Sequence, residues 1–321
     1  MVRAVVTGVA GFIGSHQAEF LLEKGHEVVG IDNFHPYYSE DIKRQNLEQV
    51  RQTAEDSSGR FRFVEGSILE EDDLDRLPDK PRWVFHLAAL AGTRSSLDNP
   101  AEYSKINVHG TSRLIQSFES LGKLVFTSSS SVYGEVAEEE LPVKEDRALD
   151  PKTPYSLSKH HAERLIKLQS RLYGFDYAIV RPFTVYGARQ RPDEIFTKFT
   201  ARMLDGRPIE IYGDGDQSRD FTNVKDVVRG TYLAAEKGEG VYNLGSQRRV
   251  TVNEIIDVLD GLVDREVERR HVDEHEGDVS HTHADISRAE KELGYSPEVD
   301  IEDGARRCVS WVEQLRERDL L

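Results

Sequence analysis

Tyr155 and Lys159 stand four residues apart in the segment Thr153-Pro-Tyr-Ser-Leu-Ser-Lys159. At that spacing a phenol and an ammonium share one face of a helix, about 5–6 Å apart at Cβ. The ammonium favours the phenolate and lowers a pKa that is ordinarily about 10. Such a pair can supply a hydroxyl-directed base at neutral pH. The same spacing also arises by chance, so its meaning rests on its surroundings. A helix must carry the pair, and the local sequence provides one. Thr153 suits the cap, Pro154 the first helical position and Gly174 the stop.

A second group of residues lies at the other end of the chain, in Gly8-Val-Ala-Gly11-Phe12-Ile13-Gly14. The preceding run, 2–7, is apolar, β-branched and free of polar alternation, which predicts a parallel strand covered on both faces. Glycines there allow a tight turn and a close backbone approach to a pyrophosphate. The helix expected over 15–24 would point its N-terminal N–H groups at that anion. A second strand, 27–31, runs into Asp32, 18 residues beyond Gly14, and then Asn33. A carboxylate at that place accepts hydrogen bonds from an adenosine ribose and repels a 2′-phosphate, so NAD is expected rather than NADP.

Apolar strand-like runs recur at 2–7, 27–31, 60–65, 82–87, 123–127 and 177–181, with helical stretches between them. That alternation predicts an α/β fold, a doubly wound parallel sheet. Beyond Arg181-Pro182 the pattern loosens into glycine-rich turns, which suggests a smaller α/β substrate-binding lobe closed by a helix from about Glu302. The expected division is 1–180 for the cofactor and 181–321 mainly for the substrate, partly interleaved. Across 321 residues the formal net charge is −16, which argues against nucleic acid or an anionic membrane as partner. No apolar stretch reaches about 18 residues, and no signal peptide is read ahead of the first strand, so a cytoplasmic protein is expected. The single cysteine, Cys308, is read as a small buried residue. His275, His281 and His283 fit no metal-ligand spacing, and no metal site is expected.

Together the Gly-x-x-Gly-x-x-Gly loop, Tyr155 and Lys159 resemble the extended short-chain dehydrogenase/reductase family, the NAD-dependent sugar-nucleotide epimerases and dehydratases, over essentially the whole chain. The resemblance implies a Rossmann-type sheet, bound NAD and a homodimer paired through the helices near 101–119 and 155–172. It implies cofactor contacts at Gly8, Gly11, Phe12, Ile13, Gly14, Asp32, Asn33, Ser67, Ile68, Leu87, Ala88, Ala89, Tyr155 and Lys159. Ser67 departs from the family, which commonly has Asp there to meet the adenine amino group; a serine can still accept that hydrogen bond.

Strand 123–127 runs into Ser128-Ser-Ser-Ser131. By resemblance Ser129 is the hydroxyl partner of Tyr155, and Ser130 and Ser131 are wall residues. The family's 4,6-dehydratases carry Asp-Glu in place of Ser130 and Ser131, and its UDP-glucuronate decarboxylases a Glu in place of Ser131. This chain has neither, which leaves oxidation at carbon 4 and its reversal, an epimerisation. Arg181-Pro-Phe-Thr184-Val-Tyr-Gly, then Arg191-Pro-Asp, is similar to the UDP-glucuronate 4-epimerases, with Thr184 and Arg191 near the sugar carboxylate. The same likeness puts Arg219 on the diphosphate of a UDP-sugar and Asp278 on its ribose. Many relatives place an arginine where this chain has His275, which leaves the nucleotide's identity open. A UDP-glucose/UDP-galactose 4-epimerase is the alternative; a decarboxylase and a non-catalytic NAD-binding regulator rank lower.

Overall fold

The computed structural model describes residues 1–265, 267–273 and 279–321. Its first six strands are β1 (Arg3–Thr7), β2 (Glu27–Asp32), β3 (Arg60–Glu65), β4 (Trp83–His86), β5 (Lys123–Thr127) and β6 (Asp176–Pro182). They lie where the six apolar runs predict them. Then come β7 (Thr184–Tyr186), β8 (Ile209–Tyr212), β9 (Ser218–Asn223), β10 (Gly240–Leu244), β11 (Arg249–Thr251) and β12 (Arg269–Val272). The main sheet runs β10-β6-β5-β4-β1-β2-β3, and every neighbouring pair in it is parallel. This is the doubly wound sheet expected from the alternation of strands and helices.

Burial explains why the central runs lack polar alternation. Val6, Phe85 and Val125 face one core, with Leu21, Leu22 and Ala234. Their neighbours Val5, Val84, Leu124 and Phe126 face the opposite core, with Leu114 and Ile166. Successive side chains of a strand point to opposite faces, so a sheet covered on both sides needs apolar residues throughout. Edge strand β3 is the exception: Arg60 and Glu65 are exposed, and charge there discourages further strand pairing. A third core, with Phe196, Phe199, Met203, Ile255 and Cys308, fills the other lobe. Around it lie a three-stranded sheet, β11-β9-β7, and the parallel pair β8 and β12.

Two features depart from the sequence pattern. Strand β10 comes from well beyond residue 180, yet it pairs parallel with β6 and completes the main sheet. The helical stretch expected at 101–119 is broken into Pro100–Tyr103, a π-helical turn Ser104–Gly110, and Thr111–Gln116. Within it the Thr111 hydroxyl donates to the Asn107 carbonyl at 2.6 Å, competing with the helical ladder.

Candidate active site

The carboxyl ends of the main strands open onto one cavity of about 720 Å³. Gly8 has φ +70°, and a Cβ there would meet Ala88 N at 2.9 Å. A Cβ on Gly14 would lie 2.0 Å from Gly8 O. The turn after β1 therefore packs backbone to backbone against the loop after β4 at Gly8, and against the start of the following helix at Gly14. The helix Phe12–Glu23 starts at Gly11, with no side chain capping it, so its first N–H groups face the cavity. Asp32 ends β2, with Oδ2 accepting from Ala10 N at 3.0 Å and Oδ1 from Phe34 N at 2.9 Å. Burial pushes its carboxyl pKa up, against the pull of those two N–H groups. Each oxygen keeps a further lone pair for a ligand hydroxyl. Phe12, Ile13, Asn33, Ser67, Ile68, Leu87, Ala88 and Ala89 line the same wall. A glycine cradle that a methyl group would fill, next to a buried carboxylate, fits a dinucleotide.

A chain of hydrogen bonds ties this wall to the reacting residues. Thr7 Oγ1 accepts from Leu87 N and Ala88 N, at 3.1 and 3.0 Å, which uses both lone pairs. Its own proton must then go to His86 Nδ1 at 2.8 Å, leaving the His86 proton on Nε2, which donates to Thr111 Oγ1 at 2.8 Å. Burial holds the His86 pKa down at about 3, helped by the Lys159 charge, so the ring stays neutral. Asn107 continues the path: it grips Leu90 through both main-chain groups and donates to Ser158 Oγ at 2.9 Å. Ser158 in turn donates to the carbonyl of Tyr155 at 2.7 Å.

Tyr155 and Lys159 lie in the first turns of the helix Pro154–Tyr173. It begins with a Thr153–Ser156 capping box and stops at Gly174, φ 75°. Both side chains line the cavity, as do Ser129 and Ser130. Ser129 Oγ accepts from Ser131 N at 3.2 Å and Ser131 Oγ at 2.9 Å. With its lone pairs taken, the Ser129 hydroxyl is left as a donor towards Tyr155, and its influence favours the phenolate. One expectation is overturned here. Burial raises the Tyr155 pKa, and the main opposing influences are Ser129 and Arg191 rather than Lys159. The Lys159 ammonium is aimed away, donating to Thr127 O at 2.8 Å and lying 4.8 Å from the Phe126 ring centre. Burial lowers its own pKa to about 7.

Beneath these residues lies a group that the sequence reading missed. Glu163, one turn beyond Lys159, forms a buried ion pair with Arg181 of β6, through contacts of 2.6 and 2.9 Å. It also accepts from Ser128 Oγ at 2.6 Å, and Arg181 donates to Tyr133 Oη at 2.9 Å. The reactive helix, the serine loop and β6 are thereby fixed to one another. A carboxylate four residues past the lysine was the available signal, but its partner lies on the next strand, β6, where no fixed spacing reveals it.

On the opposite wall, Thr184 of β7, Arg191 and Arg219 of β9 face the same cavity. Arg191 is engaged by two carboxylates, Asp193 at 3.0 Å and Glu194 at 3.1 Å, and lies 5.4 Å from the Tyr37 ring centre. Arg219 Nη1 donates to the carbonyls of Ser218 and Ser280, both at 3.0 Å. The Arg94 guanidinium lies over the Tyr212 ring at 4.3 Å, and Lys198 approaches the same ring from 5.8 Å. Tyr212 lines the cavity, as do Arg94, Lys198 and Glu194, which were not singled out from sequence. Asp278, Gly277 and His275 lie outside the described residues.

Residues 4–245 match the NAD dependent epimerase/dehydratase family. A UDP-glucuronate 4-epimerase of Thermodesulfobacterium geofontis is 38% identical over 317 residues, spanning 97% of this chain and 96% of its own. The structure of a Bacillus cereus UDP-glucuronic acid 4-epimerase in complex with UDP-glucuronic acid and NAD superposes with a TM-score of 0.90. It is 34% identical, with 98% of this chain and 99% of the other covered. A Thermotoga maritima UDP-glucose 4-epimerase with UDP-glucose gives a TM-score of 0.87 at 33% identity, with coverage of 98% and 99%. The chain belongs to the NAD dependent epimerase/dehydratase family.

Proposed function

We propose that this family member is an NAD-dependent UDP-sugar 4-epimerase that interconverts UDP-glucuronate and UDP-galacturonate through a 4-keto intermediate. The observation that carries the reading is that Ser129 and Tyr155 share the cavity with Thr184 and Arg191, and that neither Ser130 nor Ser131 is a carboxylate. The names of the T. geofontis and B. cereus relatives agree with it. NAD, held in the glycine cradle and by Asp32, supplies the two-electron acceptor and donor for carbon 4. Tyr155 Oη takes the proton of the 4-hydroxyl and later returns it. Because Ser131 occupies the lone pairs of Ser129, Ser129 acts beside Tyr155 as a donor to the phenolate rather than as a relay.

A 4-keto uronate is a β-keto acid, and it loses CO₂ readily when its carboxylate bond lies perpendicular to the carbonyl plane. Thr184 and Arg191 hold that group out of alignment while the sugar turns to offer its other face. Arg219 meets the diphosphate, and Asp278 the ribose. The cofactor half, 1–180, and the mainly substrate half, 181–321, share these duties. A homodimer belongs to this reading, since Leu157, Leu168 and Leu172 form an exposed apolar stripe along the Tyr155 helix. So does a cytoplasmic location, the compartment that the composition favours.

The second reading, a UDP-glucose/UDP-galactose 4-epimerase, is favoured by one observation: Arg191 already holds two carboxylates. Incubation with each of the four UDP-sugars, read by NMR, separates the two. Interconversion of the uronates is expected; conversion of the neutral pair alone establishes the second reading. Tyr155→Phe should lower turnover by about 10²–10⁴-fold, the range for a general acid–base group. Unchanged turnover would remove Tyr155 from the mechanism.

A further inference from the structure

Arg191, Asp193 and Glu194 set a charge problem for any anionic sugar. Asp193 takes Nε and Nη2 of Arg191, at 3.0 and 3.2 Å, and Glu194 shares Nη2 at 3.1 Å. Nη1 carries no hydrogen bond or ion pair among the described residues. A substrate carboxylate arriving there is the third around a single guanidinium, so one negative charge must leave. The two resident carboxylates differ in how they can do this. Asp193 is 47% exposed at its side chain and can turn into water. Glu194 is 27% exposed, and its Oε2 is buried with no hydrogen-bond partner. A buried carboxylate oxygen without a donor is costly as an anion and ready to carry a proton.

We propose that Glu194 is a specificity-determining residue whose carboxylate competes with the substrate's for Arg191, so that a uronate binds together with one proton. This rests on the uronate reading above. With a proton on Glu194, the arriving carboxylate replaces a negative charge instead of adding one. The charge facing Tyr155, whose phenol is raised by Glu194 and lowered by Arg191, then stays as it was. Other groups face Glu194 too: Tyr38 after β2, and Cys308 from the helix Ile301–Glu317. Burial keeps the Tyr38 phenol and the Cys308 thiol well above their usual ranges, so both stay protonated beside it. Asp193 is the remaining acid beside Glu194 and pushes its pKa further up, while burial is the largest cause and Arg191 opposes.

A new negative neighbour raises the Glu194 pKa further, so binding takes up a proton and uronate affinity falls as pH rises through that window. Calorimetry on NAD-saturated protein, in two buffers of different ionisation enthalpy between about pH 6 and about pH 9, counts the protons. Wild type should take up as much as one proton with UDP-glucuronate and none with UDP-glucose, which brings no carboxylate. Glu194→Gln keeps an acceptor for Arg191 but cannot ionise. It should abolish the uptake, flatten the pH dependence and bind UDP-glucuronate about tenfold more tightly at the alkaline end, the effect of one pKa unit of like-charge repulsion. Asp193→Asn should shift the uptake to lower pH without abolishing it, because Asp193 raises the Glu194 pKa but is not the group that takes the proton.

Proton uptake that persists in Glu194→Gln overturns the assignment. So does wild-type binding of UDP-glucuronate without proton uptake, an outcome that leaves the uronate reading standing. If wild type binds and converts only the neutral sugars, the uronate reading itself fails and takes this one with it.

Discussion

The two walls of the cavity, proposed to hold the cofactor and the sugar, are built by different means. On the cofactor wall the shape is set by backbone: Gly8 and Gly14 sit where a Cβ would strike Ala88 N and Gly8 O. On the sugar wall it is set by long charged side chains that already have protein partners, such as Arg191 with Asp193 and Glu194. A backbone cradle admits almost no change, because there is no side chain to move aside. A wall of ion-paired side chains can be retuned one residue at a time. The first arrangement suits a ligand common to every member of a family, and the second suits the part of the ligand that differs.

The largest effect that tests this contrast is Gly14→Ala. Overpacking costs about 1–3 kcal/mol, and the strained atoms are those of the cradle itself. The NAD retained after gel filtration should fall about tenfold to a hundredfold, with activity lost equally on every sugar nucleotide. Full retention of NAD would break the idea of an unyielding cofactor wall. Arg191→Ala should act on one class of substrate only. Loss of charge-assisted hydrogen bonds, worth about 1.5–3 kcal/mol, should raise KM for UDP-glucuronate roughly 10–100-fold and release some 4-keto pentose, with UDP-glucose much less affected. An equal loss on both sugars would mean that Arg191 shapes the pocket rather than reading a carboxylate.

The smallest effect falls on Lys159, between the walls. Burial lowers its pKa to about 7 from a usual value near 10.5, so the folded state releases a proton that the unfolded chain keeps. Below about pH 7 both states hold the proton and the full penalty of a buried charge applies; from about 7 to about 10.5 it shrinks. In cofactor-free protein, Lys159→Met should therefore melt above wild type, and the gap in Tm should narrow between about pH 7 and about pH 9. A gap that widens with pH would refute the buried-ammonium account.

The sequence disclosed what is local. Gly8, Gly11, Gly14 and Asp32 are read from one strand–turn–helix–strand unit, and Thr153, Tyr155 and Gly174 from one helix, because fixed spacing within an element fixes the geometry. What it hid depends on contacts between different elements. The Glu163–Arg181 pair joins a helix to the strand that follows it, and the stacking of Arg94 on Tyr212 joins segments far apart in the chain. Glu194 was adjacent to a named residue and still escaped notice, since its importance lies in sharing one nitrogen of Arg191. The pKa of Tyr155 went the other way from expectation for a related reason. Helical spacing puts Lys159 on the right face, but burial and the pull of Thr127 O decide where its ammonium points.

Strand β10 carries a consequence for how the chain is made and inherited. On a chain emerging from its N-terminus, the flank of β6 has no neighbour until residues 240–244 appear. Until then the segment from Phe183 to Glu239, with much of the sugar wall, is a long excursion between two strands that will lie side by side. An unpaired strand flank is a place where a nascent chain can pair with the wrong partner. A hybrid enzyme joined at residue 182 would accordingly need a matching β10 from its second parent. In such a hybrid the lobe proposed to read the sugar would come only together with the strand that closes the main sheet.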